Sequence, residues 1–135
     1  MSLPKKPKNS NEWRDSYYHK LFGLKAAHEV MRVLPLFESE LPNDKRPRQA
    51  VEAIEDWSLG KRTLSMAEVR TLSLAAHASA KVTESDVAKA VAHAAGQAIG
   101  TWHAPAHALG AFSYTGRVRG IIASRKKANA SKRTK

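Results

Sequence analysis

The sequence predicts an all-α domain, a compact bundle or short stack of five to six helices. Apolar positions recur at mixed three-and-four spacing, and recognisable helix-start signals precede three of the runs. From Ala75 to Ala111, fourteen of 37 residues are Ala, a composition that favours helix and lets helix axes approach closely. No strong alternating strand pattern competes.

Order is expected to begin near Trp13 and Tyr17. The spacing of Ala27, Val30, Met31, Leu34 and Phe37 predicts a helix over about 24–40, with Pro35 kinking or splitting it near Leu34 because proline lacks an N–H and clashes with the preceding turn. Leu41-Pro42-Asn43-Asp44 reads as a turn. The next helix spans roughly 45–59, with Asn43 or Asp44 satisfying free amides at its start and Pro47 tolerated in its first turn. Ala50, Val51, Ala53, Ile54 and Trp57 form its apolar side, and Gly60 ends it.

Ser65-Met66-Ala67-Glu68 has capping-box spacing and starts a third helix at Met66, running to about Ala80. Its buried positions are expected to be Val69, Leu72, Ala76 and Leu74. Thr83-Glu84-Ser85-Asp86 opens a fourth, whose first-turn acids suit the positive end of the helix dipole. This helix continues toward Trp102, with Gly96 and Gly100 four apart on one face, where the absence of side chains permits a close crossing. Pro105 marks a junction after Ala104, and the last helix runs from there to about Tyr114 or beyond.

The chain of 135 residues carries a formal net charge of +11, which bears on partners rather than on fold. The charge is not evenly placed. Residues 1–11 hold three Lys and no acid, and residues 117–135 hold eight Lys or Arg and no acid. Twelve basic and twelve acidic residues remain between them, so the body is neutral. The organisation expected is a flexible basic arm at 1–11, a single helical domain at 12–120 and a flexible basic tail at 121–135. This length sustains a core without a staple, and nothing in it obliges the chain to oligomerise.

The chain has no cysteine, which excludes disulfides, thiolate nucleophiles and Cys-containing zinc sites. No window approaches the apolar length of a spanning helix and the first residues lack a signal-peptide pattern, so a cytoplasmic protein without membrane attachment is expected. His77, His93, His103 and His107 are the residues from which a metal site would be built, His103 and His107 being four apart. Pro105 lies between those two, however, and no HExxH motif is present. Buried structural histidines are the simpler reading, and no cofactor is expected. A metal-dependent enzyme, or one pairing Asp44, Glu55 or Asp56 with His77 or His107, stays a combinatorial alternative.

Gly60-Lys61-Arg62-Thr63 holds residue types that bind phosphate, but a basic turn after a glycine-terminated helix explains it. Arg125, Lys126, Lys127, Lys132 and Arg133 attract polyanions in general, giving nucleic-acid binding through the tails as an alternative function. No aromatic residues interleave the distal cations to stack bases. Trp57, Trp102, Phe112 and Tyr114 read as core, or as protein-binding anchors if two are exposed on one face.

Leu34-Pro35-x-Phe37-Glu38, Pro42-x-Asp44-x-Arg46-Pro47-Arg48-x-Ala50-x-Glu52-Ala53, Glu68-x-Arg70 and Ala75-Ala76-His77-Ala78 carry a family resemblance. It continues through Ala94-Ala95-Gly96-x-Ala98, Thr101-x-His103 and His107-Ala108-x-Gly110-Ala111. From about Ala26 to Tyr114, roughly two thirds of the chain, the sequence resembles the immunity proteins of the Imm-5-like group, small bacterial helical proteins of polymorphic toxin systems. The resemblance leaves both basic ends outside. It implies neutralisation of a cognate protein toxin by binding, with no catalytic residues. Asp44, Arg46, Arg48, His77, His103 and His107 are the polar motif positions it marks as interaction candidates. A nuclease target is disfavoured by charge, since covering a phosphate-binding cleft calls for an acidic face.

Overall fold

A computed structural model describes residues 3–5, 8 and 10–133. Among these the fold is all-α. A single turn, α1 (Ser10–Trp13), precedes five longer helices: α2 (Tyr17–Glu38), α3 (Arg46–Ser58), α4 (Met66–Ser79), α5 (Asp86–Gly100) and α6 (Ala106–Arg133), with a 3-10 turn, Ala80–Val82, closing α4.

Three helix starts follow from hydroxyl caps. Ser16, Ser65 and Ser85 accept from the amides of His19, Glu68 and Ala88 at 3.2, 3.2 and 3.1 Å, satisfying donors that a first turn leaves unpaired. At α3 the N-terminal residue Lys45 gives no side-chain cap. Asp44 accepts the Arg46 amide instead, at 3.2 Å. Gly60 then takes φ +75 after α3, a left-handed turn that glycine adopts without steric penalty.

Of the two outcomes expected at Pro35, a kink or a split, the split does not occur: α2 is continuous to Glu38. Proline sits one turn from the end, so a single helical hydrogen bond is lost, while its neighbours Leu34 and Phe37 are buried. The helix also begins earlier than expected. His19, Gly23, Ala26, Val30, Leu34 and Phe37 are all buried, one stripe at helical spacing.

Helix α5 is the axis of the bundle and packs against α2, α3, α4 and α6. Of its residues only Asp86, Lys89, His93 and Gln97 escape burial, a narrow polar stripe on an otherwise enclosed helix. One core cluster gathers Ala26, Val30, Val51, Ile54, Trp57 and Ile99; a second gathers Val33, Leu34, Phe37, Val91 and Val118 toward the other end. Leu74, expected inside, is 64% exposed.

The flexible tail expected at 121–135 is instead helix as far as Arg133, continuous with α6. Ala, Lys and Arg are strong helix formers and no proline interrupts them. Ile121 and Ile122 still pack on the second core cluster, whereas residues 123–132 are exposed. Of the basic arm expected at 1–11, residues 3–5, 8, 10 and 11 are described, the last two belonging to α1. One described contact ties it to α2, the Tyr18 hydroxyl donating to the Pro4 carbonyl at 2.7 Å.

Candidate functional site: a histidine seam and a basic tryptophan groove

The polar stripe of α5 lies between α4 and α6, and every member is bonded. Asp86 meets Arg125 at 2.7 Å, and the Lys89 ammonium donates to the Ala80 carbonyl at 2.9 Å. His93 and His77 face each other with Nδ1 atoms 2.7 Å apart. Gln97 Oε1 accepts from His107 Nδ1 at 2.8 Å. A seam of side-chain bonds therefore runs along the central helix.

Its histidines are seated by glycine. A Cβ at position 96 would stand 2.4 Å from His77 Nε2, and one at position 100 would stand 2.9 Å from the His107 ring. The close approach expected of Gly96 and Gly100 thus serves imidazole rings. The His77–His93 bond needs one Nδ1 bearing its proton and one bare, so both rings cannot be imidazolium while it stands. Burial holds both below the usual histidine range, and the neighbouring rings of His93 and His107 at His77, and Lys89 and Arg117 at His93, act the same way. Burial also lowers His107, as does His103. The far side of His93 stacks on Tyr114, whose ring carries the Arg117 guanidinium 5.2 Å from its centroid.

His103 is exposed, in the turn before α6 rather than on a helix shared with His107; their rings are 6.5 Å apart. Among the described residues no group of three or more His, Asp or Glu side chains is placed to hold a metal ion. Asp44, Arg46 and Arg48 lie away from the seam, at the corner between α2 and α3. Arg46 forks onto Asp44 at 2.9 and 2.7 Å. Arg48 makes two bonds of 2.6 Å to Glu38 and one of 3.3 Å to Glu52. These hydrogen bonds hold Glu38 and Asp44 below the ordinary carboxylate range and raise Arg48 further. The six polar motif positions are therefore not brought together. Three fasten a corner, two belong to the seam, and His103 faces solvent.

The sequence reading missed His19. It is 1% exposed, stacked on Trp13 with centroids 5.6 Å apart and set against the edge of Trp57 at 4.7 Å. Its Nδ1 accepts the Asp15 amide at 3.0 Å, so Nε2 carries the proton and donates to the Thr101 carbonyl at 2.8 Å. Burial keeps it neutral. The ring bolts the start of α2 to the end of α5, beside Trp102. Its signal in the sequence was the α2 stripe itself, extended back from Ala26 through Gly23.

Between the indoles of Trp57 and Trp102 opens a groove of about 650 Å³, lined also by Asp15, Lys20, Lys61 and Arg62. The seam's outer end borders a smaller cavity of about 240 Å³, lined by Arg70, Leu74, Gly100, His103 and His107. Gly100 and Trp102 are two residues apart, so both hollows flank the α5–α6 junction at one end of the bundle.

The fold and these surfaces define a small helical domain with hollows and a side-chain seam. The chain belongs to the Imm-5 like putative immunity protein family, whose model matches residues 19–134. That match reaches past the stretch carrying the resemblance and takes in the basic C-terminal part of α6. No curated protein and no solved structure matches the chain. No helix among the described residues is long and apolar enough to cross a membrane.

Proposed function

We propose that this protein neutralises a cognate protein toxin by binding it in the cytoplasm, with no bond made or broken by its own side chains. Membership of the immunity family across residues 19–134 carries this reading. The docking end is the one around the α5–α6 junction. There the two hollows meet exposed His103 and exposed Leu74, whereas Asp44, Arg46 and Arg48 are occupied in the ion pairs of the opposite corner. The test is coexpression with a candidate toxin encoded beside this gene, which is expected to restore viability and to yield a complex that survives gel filtration. Persistent toxicity without a complex rejects the pairing.

The exposed helical stretch 123–132 supports a second reading, attraction of nucleic acid through Arg125, Lys126, Lys127 and Lys132. Its test is removal of 124–135, because a cut before residue 118 would delete Val118, which is fully buried. Unchanged affinity for a DNA oligonucleotide after that removal rejects it.

A further inference from the structure

We infer that the groove between Trp57 and Trp102 is a receptor for a carboxylate-rich segment of the partner protein; this rests on the binding function proposed above. Its size is that of a ligand cleft, and its lining sets Lys20, Lys61 and Arg62 against the single carboxylate of Asp15. Arg14 adds a further cation at the edge, its guanidinium carbon 5.1 Å from the centroid of the Trp102 ring. Glu68, which pairs with Arg62 at 3.2 Å, is exposed, and an exposed pair of this kind is readily exchanged for another carboxylate.

The placement of the cations selects the ligand. Lys20 Nζ stands 5.6 Å from the centroid of the Trp57 ring, and Trp57 is only 5% exposed. Each indole already has a cation over one face, and Trp57 is buried besides, which disfavours the stacking of bases that single-stranded nucleic acid uses. Ammonium and guanidinium groups remain, and they donate charge-assisted hydrogen bonds to carboxylate oxygens. The rim is also conformationally committed: Asp15 at φ 60 and Gly60 at φ 75 both hold left-handed backbone. For a non-glycine residue such as Asp15 this conformation persists only where the surroundings enforce it, here through the His19 bond to its amide. The basic turn 60–63 thereby acquires a role beyond ending α3.

The test uses the full chain and a synthetic decapeptide of alternating Glu and Gly with blocked ends, followed by tryptophan fluorescence and calorimetry at physiological salt. Saturable binding is expected, weakened at least tenfold in the Lys20→Glu/Lys61→Glu variant and unchanged in Lys126→Glu/Lys127→Glu. A circular-dichroism melt matching the parent shows that the first variant is folded. No saturable binding, or equal binding by the groove variant, overturns the inference. Tighter groove binding of inorganic phosphate or of oligo-dT than of the peptide overturns the carboxylate assignment.

Failure here is separable from failure of the immunity reading. If Lys20→Glu/Lys61→Glu still binds the toxin and rescues cells, the groove inference falls and immunity stands. If the parent binds peptide but no toxin, immunity falls and the groove remains a carboxylate receptor.

Discussion

At the scale of single residues, the most consequential side chain is His19, because two aromatic rings and two backbone groups meet at it. His19→Ala removes a buried ring and leaves the Thr101 carbonyl and Asp15 amide without their partner. Truncating a buried aromatic costs about 3 kcal/mol or more, and an unpaired buried polar group adds to that. Urea unfolding should show this loss, and Trp102 emission should shift toward the solvent-exposed value even in the folded state. The glycines divide in the same way. Gly96→Ala pushes on His77 and should destabilise by about 1–3 kcal/mol. Gly116→Ala, where an added Cβ meets nothing within 4 Å, should stabilise by up to about 1 kcal/mol through helix propensity. Equal melting temperatures for the two variants would contradict the seating of His77 on Gly96.

At the scale of elements, local chemistry and tertiary chemistry separate cleanly. The starts of α4 and α5 were legible because Ser65 and Ser85 cap the amides three residues on, a short-range interaction written in four letters. Ser65→Ala should therefore cost about 1 kcal/mol in thermal unfolding. The buried side of α3 was legible for the same reason, its period being local. The passage of α2 through Pro35 was not, since it depends on Leu34 and Phe37 finding a core. The run of α6 beyond Ile121 is not marked by apolar spacing, which ends there, although Ala, Lys and Arg are good helix formers. The candidate site was less legible than the fold. His77 and His107 were visible as residues, but their pairing with His93 and Gln97, and the groove lined by Trp57 and Trp102, arise from helix crossings that spacing does not encode. Because 123–132 is exposed and the ion pair of Arg125 with Asp86 lies in solvent, removal of 124–135 should change unfolding free energy by less than about 1 kcal/mol.

For the whole molecule, the net charge of +11 resolves into a neutral body between two basic extensions, residues 1–11 and 117–135, and acid acts on this body through its histidines. His19, His77, His93 and His107 all have lowered pKa values, with burial the largest cause in each. The unfolded chain therefore takes up protons near the ordinary value of 6.5 while the folded chain resists them. Where the unfolded state binds more protons, stability rises with pH. Histidine-linked stability is thus fully present above about pH 6.5 and is lost as pH falls below it toward the lower folded values. The positive groups facing the rings, Arg14 at His19 and Lys89 and Arg117 at His93, act in the same direction; Asp15 opposes it at His19. Glu38 and Asp44 add a second loss at lower pH, when the carboxylates bonded to Arg48 and Arg46 protonate. Urea midpoints measured from pH 8 to pH 4 should fall first across the histidine range. His93→Gln should flatten that first fall by removing one resisting ring and the proton-sharing bond to His77. A midpoint constant from pH 7 to pH 5 in the parent chain would show that the four rings are not held neutral by the fold.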